Sequence, residues 1–313
     1  MLKASETALA AIGKTPLVRL RRVVPANHAD VYLKLEYTNP TGSHKDRMAA
    51  AIIQEAEKRG ALKPGMKVVE ATGGSTGSSL AFVCAVKGYK FQPVSSNAYA
   101  VEKLKTMAAF GAKVDIVHSP TGRITADLIP SMIRRAKEIE REGNVYSTDQ
   151  FNNRDALVGY AALGHEIVEQ VPEGVDVFCA AVGTAGLAMG VSAVLKAARP
   201  ETRVVVLEPA STPVITGGQA GSHGVEGIGI GFLPPLLDKK LYDEAQAVSE
   251  DEARAMCRRL ARDEGIFAGV STGLNVVAAI RLAAEMGAEK KVVTIACDSG
   301  LKYLNGDLFS TPQ

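Results

Sequence analysis

With 313 residues, the chain is long enough for two ordinary domains or one large α/β domain. Its 46% hydrophobic and 22% charged residues fit a soluble globular protein, and a net charge of +2 argues against binding nucleic acid or an anionic membrane through bulk charge. With no tryptophan and only 5% aromatic residues, a base-stacking platform is not expected. Four widely spaced cysteines (Cys84, Cys179, Cys257, Cys297) fit no zinc or other metal pattern and read as buried, reduced thiols of a cytoplasmic protein.

The N-terminal stretch MLKASETALAAIG has neither the apolar core nor the cleavage site of a signal peptide. Short apolar runs then alternate with amphipathic ones. Strands are expected at 31–35, 67–71, 92–95, 113–117, 175–180, 203–207 and 292–296. Helices are expected at 46–59, 78–87, 100–110, 127–141, 155–170, 187–198, 250–264 and 274–286. Gly60, Gly88 and Gly111 follow three of these helices, where left-handed caps belong. The uncharged run 177–195 has the length of a membrane span, but Gly183, Thr184 and Gly186 break it into a buried strand, a turn and a helix. Apolar strands separated by helices imply an α/β fold with mostly parallel sheets covered on both faces. The polar stretch 143–154 is a candidate crossing point between two α/β lobes, and the tail FSTPQ shows no binding motif.

Several stretches carry chemistry. In NPTGSHKDR, Ser43 reads as an N-cap and Asp46, three residues on, as the acidic member of a capping box. Lys45 falls in the first helical turn, where the dipole disfavours a cation. It is either a solvated surface lysine or an amine kept neutral to form a Schiff base. In VVEATGGSTG, a strand ends and Thr72, Gly73, Gly74, Ser75, Thr76 and Gly77 turn into a helix, gathering amides and hydroxyls suited to a carboxylate. In VFCAAVGTAGLAMG, the turn Gly183, Thr184, Ala185, Gly186, Leu187 has no charged residue, so amides and dipole must hold an anion such as phosphate. Ser271 precedes a further helix as cap or ligand, Gln150 follows a short strand, and the alternating glycines of HGVEGIGIGFLPP allow close backbone approach.

Taken in order, IGKTPLVRL, NPTGSHKDR, TGGSTG, DQFNN, GTAGL, GVEGIGIGFLP, AGVSTG and CDSGLKYL resemble the fold type II pyridoxal-phosphate enzymes, above all the cysteine synthase and cystathionine β-synthase group. The resemblance spans residues 12–308. It implies two open twisted α/β lobes of the tryptophan synthase β type. Residues 39–147 would form the smaller lobe, residues 1–38 plus 148–313 the larger, and the active site would lie between them. The cofactor implied is pyridoxal 5'-phosphate, held by Lys45 as a Schiff base, by Gly183, Thr184, Ala185, Gly186 and Leu187 at the phosphate, by Ser271 at the pyridine nitrogen, and by Ser75 next to the 3-hydroxyl. Thr72, Gly73, Ser75, Thr76, Gln150 and Gly227 would bind the amino-acid substrate. The reaction implied is replacement at Cβ of an activated serine by sulfide, through an aminoacrylate, in a cytoplasmic homodimer.

The chain also departs from the group. Ser75 stands where asparagine is usual, Ala185 and Leu187 replace a glycine and a threonine of the phosphate turn, NNRDA lacks the usual proline after Gln150, and His44 is atypical. These changes keep an elimination lyase or dehydratase acting on serine, threonine, cysteine or a modified amino acid as the alternative. A non-catalytic protein on the same fold is disfavoured by Lys45, Ser271 and Gln150. A nicotinamide dehydrogenase is disfavoured because the chain lacks a Gly-x-Gly-x-x-Gly followed by a ribose-binding acid.

Overall fold

The computed structural model describes residues 4–122, 125 and 127–310; the first and last three residues, which begin the N-terminal stretch and end the tail considered above, lie outside them. In chain order the strands are β1 (Leu17–Arg19), β2 (Asp30–Lys34), β3 (Lys67–Ala71), β4 (Lys90–Ser95), β5 (Asp115–Ile116), β6 (Val145–Ser147), β7 (Val177–Ala181), β8 (Arg203–Pro209), β9 (Glu244–Val248) and β10 (Lys291–Ile295). The helices are α1 (Lys45–Lys58), α2 (Ser75–Lys87), α3 (Val101–Ala109), α4 (Leu128–Glu140), α5 (Asp155–Gln170), α6 (Gly186–Ala198), α7 (Glu250–Arg259) and α8 (Val270–Ala284). The chain divides into two compact units, Met1–Lys14 with Asn39–Gly159, and Thr15–Thr38 with Tyr160–Gln313.

In the first unit four parallel strands run in the order β5-β4-β3-β6. Both faces are covered, as the apolar strands require. Val68 points into a cluster with Ala49 and Ile53 of α1 and Leu80 and Val83 of α2. Its neighbour Val69 points the other way, into a cluster with Met132, Ala136 and Ile139 of α4. The second unit carries a six-stranded sheet in the order β1-β2-β10-β7-β8-β9, parallel except for the β1–β2 pair. Its largest core cluster joins Val31, Val177, Val205 and Val292 of the sheet to Leu274, Ala278 and Leu282 of α8. A buried ammonium in β2 is satisfied there: Lys34 Nζ donates to Thr15 O, Glu166 Oε2 and Gln170 Oε1 at 2.7, 2.7 and 2.8 Å.

Gly60, Gly88 and Gly111 have φ of 70°, 77° and 82°, the left-handed caps expected of them. All four cysteines are free and buried, and burial pushes the Cys84, Cys179 and Cys257 thiols up to about 12. The run 177–195 forms β7, a turn and α6, and among the described residues no helix is long and apolar enough to cross a membrane. Two helices start three or four residues earlier than their sequences suggest: α2 at Ser75 rather than 78, and α8 at Val270 rather than 274. The expected helix 250–264 is α7 followed by a π-helical turn, Leu260–Glu264. Strands β1, β6 and β9 were not expected; the first two are three residues long, and β9 is only partly buried over most of its length, so none has a strong apolar signature.

Candidate active site

Lys45 is the first residue of α1 and half-buried. The local structure corrects the expected capping box. Ser43 Oγ accepts from Lys45 N at 3.2 Å, His44 is the flanking residue, and Asp46 turns its carboxylate back to Thr41, accepting from the amide at 2.8 Å and from Oγ1 at 2.5 Å. Asp46 is wholly buried, so it closes the loop before the helix instead of capping it. Thr41 Oγ1 lies 3.3 Å from Ser79 Oγ, tying the lysine-bearing loop to α2. His44 Nε2 sits 3.3 Å from Lys45 Nζ, which places the unassigned histidine against the amine.

At the start of α2, Thr72 Oγ1 accepts from Gly74 N at 3.2 Å and Gly77 N at 3.0 Å, so the threonine of the preceding strand end does the capping. This is why Ser75, Thr76 and Gly77 belong to the first helical turn. Two glycines there are closely approached by side chains: a Cβ on Gly77 would lie 2.3 Å from Met107 Sδ, and one on Gly73 2.4 Å from the Tyr99 ring, so either neighbour would have to move. Gln150 is brought to the same place. Its Oε1 accepts from Thr76 Oγ1 at 2.8 Å and its Nε2 donates to Ala71 O at 2.9 Å. The missing proline after Gln150 is replaced by side-chain bonds. Asn153 Nδ2 donates to Thr148 O at 2.9 Å, while Asn153 Oδ1 accepts from Asp155 N at 3.0 Å at the start of α5. Below this cluster lies Glu70, which sequence reading passed over. It is 3% exposed, and burial pushes its carboxyl up to about 7 against hydrogen bonds from Thr148, Gln150 and Ala71.

In the second unit, the turn before α6 is buried through Gly183, Thr184, Ala185, Gly186 and Leu187. Ala185 adopts φ 66°, ψ −11°, the left-handed conformation that a glycine would take without strain. A Cβ on Gly183 would stand 2.2 Å from Gly227 O, so the loop around Gly227 is pressed against this turn. Gly229 N donates to Val182 O at 3.2 Å. His223 orders the same loop. Val225 N donates to its Nδ1 at 3.1 Å, which leaves the proton on Nε2, 2.8 Å from Gly229 O. Ser271 is the second residue of α8 and 5% exposed. Its neighbour Thr272 accepts from Cys297 N at 3.0 Å. A residue without any sequence signal, Asn275, joins the parts. Its Oδ1 accepts from Ala181 N at the end of β7 and its Nδ2 donates to Ile295 O at the end of β10, both at 2.8 Å. Tyr303 OH donates to Asp298 Oδ2 at 2.8 Å beside Gly269; burial, Asp298 and Glu226 hold that phenol well above its usual range.

The structure thus gathers Thr72, Gly73, Ser75, Thr76 and Gln150 in the first unit, which also holds Lys45, and gathers Gly183, Thr184, Ala185, Gly186, Leu187 and Gly227 in the second, which also holds Ser271. These residues fit pyridoxal phosphate. The uncharged turn before α6 brings a helix start with its backbone amides and positive dipole end, suited to a phosphate, and an amine and a buried hydroxyl stand at two further helix starts. Among the described residues no group of three or more His, Cys, Asp or Glu is placed to hold a metal ion.

Comparison with known proteins agrees with this chemistry. The family described as "Pyridoxal-phosphate dependent enzyme" matches residues 8–298. A cysteine synthase of Staphylococcus aureus (strain N315) is 43% identical over 302 residues, 96% of this chain and 95% of that protein. The crystal structure of a cysteine synthase from Entamoeba histolytica superposes with a TM-score of 0.93 at 32% identity, covering 99% of this chain and 92% of the other. A hydrogen sulfide-producing enzyme from Fusobacterium nucleatum superposes with a TM-score of 0.90 at 32% identity, covering 96% and 100%. The chain belongs to the pyridoxal-phosphate dependent enzymes.

Proposed function

We propose that this protein makes L-cysteine by replacing the leaving group on Cβ of an activated serine, O-acetylserine or O-phosphoserine, with sulfide. The observation that carries the reading is the amine of Lys45 at the start of α1 in the same unit as the carboxylate-binding turn at the start of α2, the two tied by Thr41 and Ser79. Bound pyridoxal phosphate supplies an electron sink that acidifies the substrate Cα–H. Lys45 Nζ would hold the cofactor through its amine, and the freed amine would be the group that takes the substrate Cα proton and later returns it. Thr72, Gly73, Ser75, Thr76 and Gln150 hold the substrate carboxylate, with the α2 amides and dipole adding charge stabilisation. The backbone at Gly227 lines the substrate. Gly183, Thr184, Ala185, Gly186 and Leu187 bind the phosphate, and Ser75 lies next to the 3-hydroxyl. Ser271 offers the pyridine nitrogen a hydroxyl rather than a carboxylate, which favours loss of a good leaving group from Cβ over transamination. A homodimer in the cytoplasm completes the proposal, on the strength of the family resemblance.

The test is the absorbance spectrum of the purified holoenzyme mixed with O-acetylserine, O-phosphoserine, serine, threonine or cysteine, with and without sulfide. Cysteine formed from an activated serine supports the reading; Lys45→Ala must abolish both it and the cofactor's long-wavelength band. A second reading, β-elimination, is favoured by Ser75 and by the likeness to a hydrogen sulfide-producing enzyme. A keto acid and ammonia released without added nucleophile would select it.

A further inference from the structure

We propose that Glu70 is a positioning residue that sets the carboxylate-binding turn by gripping Thr148 and Gln150 from below. The proposal rests on the amino-acid-binding role given above to Thr76 and Gln150. Glu70 is the fourth residue of β3, among Val68, Val69 and Ala71, where a purely structural strand would place another apolar side chain. Its Oε2 instead accepts from Thr148 Oγ1 at 2.6 Å and from Gln150 N at 2.9 Å. Gln150 then reaches over the turn to Thr76 Oγ1 and Ala71 O. Asp149, between the two gripped residues, adopts φ 43°, a left-handed conformation that aims Gln150. Its carboxylate is fixed by Asn152 Nδ2 at 2.9 and 3.0 Å. The network is closed: the carboxylate fixes the backbone at 148–150, and the backbone fixes the amide that bonds the helix start. A primary amide has two N–H donors and one carbonyl acceptor. The bonds to Ala71 and Thr76 occupy one donor and the acceptor, and the second donor is the one a substrate carboxylate would take.

The charged group facing Glu70 is Asp149, which with burial raises its carboxyl, while Thr148, Gln150 and Ala71 lower it; the balance lies at about 7. An ionised oxygen accepts hydrogen bonds more strongly than a protonated one. The grip therefore tightens as pH rises through neutrality, and amino-acid binding strengthens with it.

The experiment measures calorimetric binding of L-alanine, an amino acid with no leaving group, to holoenzyme from pH 6 to 8.5, for wild type, Glu70→Gln, Glu70→Ala and Thr148→Val. Melting temperatures and cofactor content are recorded in parallel. Expected is a Kd about tenfold weaker in Glu70→Ala, the effect of one well-placed hydrogen bond, with cofactor content unchanged. Thr148→Val should be intermediate. Glu70→Gln keeps the acceptor and should bind nearly as wild type at pH 6 while losing the wild-type pH step. Unchanged Kd in a folded Glu70→Ala, or the same pH step in Glu70→Gln, overturns the proposal. If Glu70→Ala does not fold, the pH step in Glu70→Gln decides. Binding that depends on Glu70 in a protein that makes no cysteine would sink the proposed reaction and leave the positioning role standing. Cysteine formation with Glu70-independent binding would do the reverse.

Discussion

Gly183→Ala tests whether the proposed phosphate turn is as tightly built as the structure has it. The added Cβ would stand 2.2 Å from Gly227 O, a backbone atom that no rotamer change can move. Ordinary contact needs about 3.5 Å, so one of the two loops must shift by roughly 1 Å. Overpacking of this kind costs about 1–3 kcal/mol. The shift also strains the bonds from Gly229 N to Val182 O and from His223 Nε2 to Gly229 O, worth about 1 kcal/mol each. A total loss of roughly 2–5 kcal/mol follows. Gly227→Ala is the matched control, because Gly227 has φ 88° and its added Cβ meets nothing within 4 Å. That variant bears only the left-handed penalty of about 1–2 kcal/mol. Urea unfolding of both proteins, with titration of the apo forms by pyridoxal phosphate, should show Gly183→Ala losing more stability and at least about tenfold more cofactor affinity than Gly227→Ala. Equal behaviour of the two variants, or wild-type affinity in Gly183→Ala, would refute the close approach of these loops.

Three further outcomes are expected. Asn275→Ala strands two buried backbone groups, Ala181 N and Ile295 O, and should cost about 2–4 kcal/mol in urea unfolding. Ala185→Gly removes a buried methyl but also the left-handed strain, so it should stay within about 1 kcal/mol of wild type in the same assay, unlike an ordinary buried truncation. Stability should also fall with pH through Glu70. Its carboxyl is raised from 4.5 to about 7 in the folded state, so between those values the folded protein binds more protons than the unfolded one. The penalty is absent below pH 4.5 and complete above pH 7, of order 3 kcal/mol; Glu70→Gln should flatten that part of the stability–pH profile.

Much of this was readable from the sequence because its signals are local. Strand β3 and helix α5 lie where the apolar period places them, at Lys67–Ala71 and Asp155–Gln170. The glycine-and-hydroxyl turns at Thr72 and Gly183 do precede helices. Errors came where a cap is supplied from outside the local pattern. Thr72 caps α2 across two glycines, so Ser75 and Thr76 were misplaced from helix to loop, and Asp46 answers to Thr41 rather than to Ser43. Glu70 and Asn275 could not be found at all. Each is a polar residue flanked by apolar ones, and its meaning depends on partners 78 to 80 and 20 to 94 positions away.

The four helix starts explain why Lys45 sits where a cation is unwelcome. At α2 and α6 the positive dipole end meets groups that bring negative charge, a carboxylate and a phosphate in the proposed reaction. At α8 the same end presents a neutral hydroxyl, Ser271. At α1 it acts on an amine. There the dipole opposes the ammonium, and His44 Nε2 at 3.3 Å can share a hydrogen bond with the neutral amine. An amine that must attack a carbonyl and then take a proton has to spend time uncharged. A lysine in the last turn of a helix would be held as a cation by the same physics. The position that looks wrong for a surface lysine therefore suits the nucleophile and base of the proposed reaction, and Asp46, bound to Thr41, closes the loop that holds it there.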